Sequence, residues 1–278
     1  MYHLRSIPSI DLPELAPYRT MRRQTHHRQD GIFVAEGPKV VERMLESSFG
    51  VASLLITEDW LESLKPFLDG RPEDIPVYVA PKGLLNEMTG YHLFQGVLAI
   101  GRIPDPIPLA EILRKAREPF LLVAAEQLAS SENMGVLVRN CAAFGVHALI
   151  VGETCVSPFL RRAVRNSMGA IFKLPIVESP NLPETLRGLR TWGIECVAAH
   201  PHAEKMLLPD SNLTGSCCVV LGSEGYGLSA EVLRECGRAI AIPMNNAVDS
   251  LNVGNAGAVF LYEIYRQRRS PPSTPGAT

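Results

Sequence analysis

Three glycine-bearing polar stretches hold the residues best suited to chemistry: SSENMGVLVRNCAAFG at 130–145, GSEGYGLS at 222–229 and MNNAVDSLNVGNAG at 244–257. In the first, Asn133, Gly135 and Arg139 are spaced so that the glycine opens a helix and the arginine lies about one turn into it. A guanidinium there offers a planar fork of donors, which suits a phosphate or a structural ion pair. In the second, Gly222, Gly225 and Gly227 flank Glu224 and permit positive φ and close approach of a ligand to the backbone. Their order, GxxGxG with a helix only from Ser229, departs from the dinucleotide fingerprint GxGxxG, and no GxxxxGK[ST] occurs. In the third, Ser250 is the expected N-cap of the last helix, with the free amides of that helix facing into the loop. Asn252 supplies both a donor and an acceptor. Gly254, Ala256, Gly257 and Ala258 give the helix a small-residue face, at a cost in helix propensity that a close backbone contact must compensate.

Each of these stretches follows a short apolar run. PFLLVAAEQ, VHALIVG, CVAAH, CCVVLG and AIAIPM lack polar alternation, as strands covered on both faces do, so an α/β fold with a parallel sheet is expected. Ligands in such sheets sit at the carboxyl ends of the strands, where the three stretches begin. The preceding hundred residues alternate in the same way. IFVAEGPKVVERMLES reads as a strand and a helix, VASLLIT as a strand, DWLESLKPFL as a helix, PVYVA and QGVLAIGRI as strands. IPDPIP reads as a semi-rigid linker. The organisation expected is a small α/β domain at 1–102, a proline-rich linker and first helix at 103–118, the parallel-sheet domain at 119–269 and a disordered tail at 270–278.

The totals set outer bounds. The 278 residues are 46% hydrophobic and 20% charged, the pattern of a water-soluble globular protein. No apolar run is long enough to span a bilayer, and the N-terminal stretch carries Asp and Glu where a secretory peptide is apolar, so a cytoplasmic location is expected. The six cysteines show no CxxC spacing and read as reduced, mostly buried thiols, with no metal-ligand cluster. A net charge of −2 gives no overall pull on nucleic acid, but Arg19, Arg22, Arg23, His26, His27 and Arg28 cluster within ten residues, as a solvated helix or an RNA-facing one would.

Together the three stretches resemble the motifs of the SpoU (TrmH-like) branch of the SPOUT RNA methyltransferases: N-x-G-x-x-x-R followed by a small-residue helix and FG, a strand ending in G-x-E-x-x-G-L-S, and I-P-M followed by S-L-N-V. FVAEGPKVVERML with QGVLAI is similar to the small substrate-binding domain that many members carry in front. The resemblance implies a C-terminal trefoil knot, S-adenosylmethionine as cofactor, a ribose 2′-hydroxyl of RNA as acceptor, a homodimer, and no metal. It carries cofactor contacts to Gly222, Ile242 and Leu251, with Met244, Ala199 and His200 lining the same pocket. Arg139 matches the arginine that acts on the hydroxyl or the adjacent phosphate. Asn133 and Asn252 orient that arginine or the ribose, Ser250 caps the helix and touches substrate, and Glu224 fixes the second loop, if it is not purely structural. In this reading the small face of the last helix lies against the knotted loops and a second subunit. Gly254 and Asn255 depart from the family pattern and alter packing more than chemistry. Arg161, Arg162 and Arg165 are expected to face RNA near the pocket, and Arg22, Arg23, His26 and Arg28 to add a second footprint. Ribosomal RNA is the favoured substrate; transfer RNA, a non-catalytic RNA-binding protein of the same fold and a nicotinamide-dependent dehydrogenase are the other readings.

Overall fold

The computed structural model describes residues 1–21, 24–90, 95–201, 203, 206–245 and 249–269, and for 24–26 the backbone only. The chain divides into two compact units, Met1–Asp105 with Pro158–Lys173, and Pro106–Ser157 with the residues from Leu174 on.

The first unit runs β1 Tyr2–Ser6, α1 Ala16–Arg19, α2 Gln24–Gln29, β2 Ile32–Glu36, α3 Pro38–Leu45, β3 Val51–Ile56, α4 Leu61–Asp69, β4 Ile75–Val79, α5 Lys82–Thr89 and β5 Val97–Arg102. Its sheet has the order β1-β4-β3-β5-β2, with β5 antiparallel to both neighbours and the other pairs parallel. Proline opens α3, and Val40, Val41, Met44 and Leu45 recur at helical spacing on its buried side. Leu15, Tyr18, Met21, Leu55, Leu85 and Leu98 belong to one buried cluster that does not include these α3 residues. The Tyr18 ring is fully buried, its hydroxyl pairs with Ser53 Oγ at 2.7 Å, and burial pushes its pKa well above the ordinary tyrosine value.

The second unit runs α6 Leu109–Lys115, β6 Leu121–Ala125, α7 Ser131–Ala143 and β7 Ala148–Val151. After α8 Arg161–Asn166, which belongs to the first unit, it resumes with β8 Ile176–Glu178, α9 Leu182–Leu189, β9 Glu195–Ala199, β10 Cys217–Leu221, α10 Ala230–Glu235, β11 Arg238–Ile240 and α11 Val253–Arg269. All five pairings in its six-stranded sheet, β11-β9-β10-β6-β7-β8, are parallel. All six cysteines are free thiols, and burial raises those of Cys141 and Cys236. No helix among the described residues is long and apolar enough to cross a membrane.

Residues 158–173 depart from the contiguous division expected from sequence. Phe159 and Phe172 pack on Phe33 with ring centroids 5.9 and 5.8 Å away. Glu36, at the end of β2, is 7% exposed and takes an ion pair from Arg161 and another, at 2.9 Å, from Arg165. A carboxylate removed from water requires paired charge, and these two arginines provide it. Arg161 and Arg165 are therefore paired with the first unit's own acid, Arg161 largely buried and Arg165 57% exposed, and Arg162 is exposed. Within the basic cluster Arg19 donates to the carbonyls of Ile10 and Leu12, and His27 is buried beside Thr20. Arg28 is exposed; Arg22, Arg23 and the His26 side chain lie outside the described residues.

Candidate active site

A cavity of about 340 Å³ opens in the second unit at the carboxyl ends of β9, β10 and β11. Ala199 and His200 line it after β9, residues 221–228 after β10, Ile240, Ile242 and Met244 at and beyond β11, and Asp249, Ser250 and Leu251 on the approach to α11, with Phe260 beneath. That volume falls within the roughly 300–1,000 Å³ of small-molecule and cofactor sites.

The loop after β10 is fixed by its own backbone. Ser223 N–H donates to the Gly227 carbonyl at 3.1 Å, Gly227 N–H returns a bond to Ser223 at 2.9 Å, and Ser223 Oγ accepts from Tyr226 N–H at 3.1 Å. Gly227 has φ +68°, and a Cβ on Gly222 would lie 2.3 Å from the Gly227 carbonyl carbon and oxygen. Glycine at 222 is thus required by close approach of the loop to itself. At the far end Ser229 caps α10, its Oγ accepting from Val232 N–H at 3.2 Å, while its own N–H donates to Glu126 Oε2 at 2.8 Å. Glu126 is buried just past the end of β6, so its carboxylate ties that strand end to the start of α10.

Glu224 gathers the other loops. Its Oε1 accepts from Asn133 Nδ2 at 3.0 Å, from Asn252 Nδ2, and from Val253 N–H at 3.3 Å. Asn252 Nδ2 also donates to Asn133 Oδ1 at 3.0 Å. A carboxylate so engaged is occupied as an acceptor and joins α7, the β10 loop and the start of α11.

Two local expectations are corrected. Helix α7 starts at Ser131, capped by Ser130 Oγ accepting from Asn133 N–H at 3.2 Å, so Gly135 lies inside the helix rather than opening it. Helix α11 starts at Val253, and its N-cap is Asn252, whose Oδ1 accepts from Gly254 N–H at 2.9 Å and Asn255 N–H at 3.4 Å. Ser250 stands two residues too early to cap it and instead lines the cavity, exposed.

The small-residue face of α11 meets a partner within the chain. A Cβ on Gly254 would lie 2.6 Å from Val136 Cγ1, and one on Gly257 3.0 Å from Leu137 Cδ1 and 3.3 Å from Leu221 Cδ1. Asn140 Nδ2 donates to the Gly254 carbonyl at 2.7 Å across the same contact. Helix α7 is therefore the compensating contact for this face.

Of the positions expected from sequence, Ala199, His200, Gly222, Ile242, Met244, Leu251, Glu224 and Ser250 share the cavity wall. Asn133 and Asn252 join it through Glu224. Arg139 does not line it: the side chain is exposed on α7 and meets no hydrogen-bond or ion-pair partner among the described residues. Sequence reasoning passed over Tyr226 and Asp249, which line the cavity, and Asn140 and Glu126, which brace it. Two of these left a signal: Asn140 follows Asn133 by two helical turns on one face, and Glu126 ends an apolar strand.

Comparisons with known proteins converge on one family. Residues 120–262 match the model of the SpoU rRNA Methylase family. The chain is 35% identical over 261 residues to an uncharacterized tRNA/rRNA methyltransferase of Mycobacterium tuberculosis, a match covering 91% of this chain and 88% of that protein. Among solved structures it shares its fold with an AdoMet-bound rRNA methyltransferase from Sinorhizobium meliloti, at TM-score 0.82 and 24% identity over 96% of this chain and 99% of that one. An RNA 2′-O ribose methyltransferase is similar at TM-score 0.77 and 25% identity, again over 96% and 99%.

Proposed function

The chain belongs to the SpoU rRNA methylase family and is an RNA methyltransferase that uses S-adenosylmethionine; from that premise we propose that its acceptor is a ribose 2′-hydroxyl, in ribosomal RNA rather than transfer RNA. The observation that carries the proposal is the convergence of three sequence-distant loops on one cavity, braced by Asn133, Glu224 and Asn252.

The cavity fits the cofactor. Leu221, Ile240, Ile242 and Phe260 give it an apolar wall, and Gly222, held by the loop's close approach to itself, lines it beside them. When bound, S-adenosylmethionine supplies an electrophilic methyl group on a sulfonium centre. The protein must align the hydroxyl with that group, and alignment of this kind contributes several kcal/mol. A guanidinium holds its proton too tightly to be a good proton acceptor. Standing outside the cavity with its donors exposed, Arg139 is suited to hold the phosphate beside the target nucleotide and to polarise the hydroxyl. Asn133 and Asn252 orient the ribose edge from the cavity rim, and Glu224 keeps both in place.

The trefoil knot is part of the proposal. It is supported by the path of the chain, which leaves β11 beyond β9 at the sheet edge and returns as α11 against α7, with Gly257 beside Leu221 of β10. A homodimer is proposed through the edge of α11 that exposes Val259 and Tyr262, the latter edge-on to Phe144 at 6.4 Å.

Labelled S-adenosylmethionine, offered with separate pools of unmodified ribosomal and transfer RNA and followed by nucleoside analysis, tests the reading. The expected product is a 2′-O-methylnucleoside in the ribosomal pool. Arg139→Ala should lower turnover about 100-fold, the scale of one lost electrostatic donor, with folding and cofactor affinity kept. Label on a base would refute the ribose assignment. Undiminished transfer by Arg139→Ala would remove that residue from its role, and RNA binding without transfer would favour a non-catalytic relative.

A further inference from the structure

We propose that Tyr226 is the platform on which the base of the nucleotide undergoing methylation stacks; this rests on the RNA methyltransferase reading of the same cavity.

Tyr226 lines the cavity, yet 91% of its surface is exposed. It stands between Gly225, around which a Cβ would find open space, and Gly227, so neither neighbour covers a face of the ring. Among the described residues no ring or cation stands against it. Single exposed apolar side chains are common and need no explanation. This one differs because its backbone is held: the Ser223–Gly227 pair closes the turn on both sides, Ser223 Oγ takes the Tyr226 N–H, and Gly222 is pressed against the backbone of Gly227 and Leu228. A ring on a fixed loop binds with little additional ordering.

The other side chains of the loop are already engaged. Ser223 caps the turn, and Glu224 accepts from Asn133, Asn252 and Val253. Phe260, the other aromatic of the lining, is 1% exposed and forms the floor. Tyr226 is thus the side chain that the loop presents to an incoming ligand. Presenting one ribose hydroxyl to a cavity draws that nucleotide away from its neighbours, and unstacked bases in RNA are commonly received by aromatic rings. Every base has a π-face, so a platform of this kind holds the nucleotide without reading its identity.

The test compares wild type with Tyr226→Ala and Tyr226→Phe in three measurements: KM and kcat for ribosomal RNA, filter binding of the same RNA, and S-adenosylmethionine affinity by calorimetry. For the alanine variant KM and the RNA dissociation constant should rise about tenfold, within the range of base–aromatic stacking. The phenylalanine variant should stay within about twofold of wild type, and cofactor affinity should not move in either variant. Equal RNA binding by Tyr226→Ala would overturn the platform. So would a phenylalanine variant as weak as alanine, which would assign the effect to the hydroxyl, or a parallel loss of cofactor affinity, which would assign the ring to the cofactor. Wild type that binds RNA without methylating it would refute the enzymatic reading, while the ratio of binding constants would still decide the role of Tyr226.

Discussion

Replacing Asn252 separates the two candidate caps of α11. The Asn252 side chain accepts from Gly254 and Asn255 N–H and donates to Asn133 and Glu224. Loss of an N-cap costs about 1 kcal/mol, and each of the two donor bonds adds roughly 0.5–1 kcal/mol at an exposed site. Asn252→Ala should therefore destabilise by about 2–3 kcal/mol, a midpoint drop of roughly 4–12 °C for a domain of this size. Ser250→Ala, which removes no cap, should stay within about 0.5 kcal/mol of wild type. Asn252→Asp adds a sharper check. It preserves the cap and complements the helix dipole, but it turns a donor at Glu224 into a second carboxylate. Two charges about 3 Å apart repel by about 1.4 kcal/mol in water and about 5.5 kcal/mol at an effective dielectric of 20; both side chains are exposed, so the lower figure applies. Adding Glu224→Gln should relieve that repulsion and return stability towards wild type. Thermal unfolding of the four variants beside wild type decides the matter. Equal destabilisation by Ser250→Ala and Asn252→Ala, or no recovery in the double variant, would refute the assignment of cap and network.

Two more outcomes follow from the packing. In Gly222→Ala the new methyl meets the backbone at Gly227 and Leu228, at 2.3 and 2.6 Å. The loop must open by about 1 Å and give up its two Ser223–Gly227 bonds, each worth about 1 kcal/mol; cofactor affinity by calorimetry should fall at least tenfold while the fold persists, and an unchanged affinity would refute the tight loop. In Glu36→Gln, Arg161, itself 11% exposed, loses its paired charge. Breaking a buried pair costs about 3 kcal/mol or more, so denaturant unfolding of the first unit should shift by that amount; a change below about 1 kcal/mol would show the pair to be solvent-screened.

The parallel sheet of the second unit was legible because β6, β7, β9 and β10 are continuous apolar runs. Strands β1 and β8 were not: YHLRS is exposed along most of its length and IVE is no more than half-buried, so their pairing with β4 and β7 leaves no apolar signature. The return of 158–173 to the first unit was hidden for another reason. Its partners Phe33 and Glu36 lie far away in sequence, Glu36 by 125 residues from Arg161, and a charge run such as FLRRAVRN looks the same whether it faces RNA or a buried acid. At the site, residue types were legible through the motifs but their pairing was not. The Asn133–Glu224 bond spans 91 residues and the Asn252–Asn133 bond 119.

The cap of α11 shows how local signals give way to packing. Ser250 and Asn252 are both good N-cap residues, and nothing within SLNV chooses between them. The choice is made where α11 meets α7. Val253 and Gly254 are the first buried positions, and only a residue with no side chain fits beside Val136 at 254. Each glycine in a helix costs about 1 kcal/mol relative to alanine, so Gly254 and Gly257 together cost about 2 kcal/mol. Burial of Phe260, Leu261 and Ile264 and the Asn140–Gly254 bond offset it. The same close approach brings the first turn of α11 to Glu224 and Asn133. A larger residue at 254 would push α11 away from α7 and separate Asn252 from both partners, so the glycines that weaken the helix are also what assemble the site.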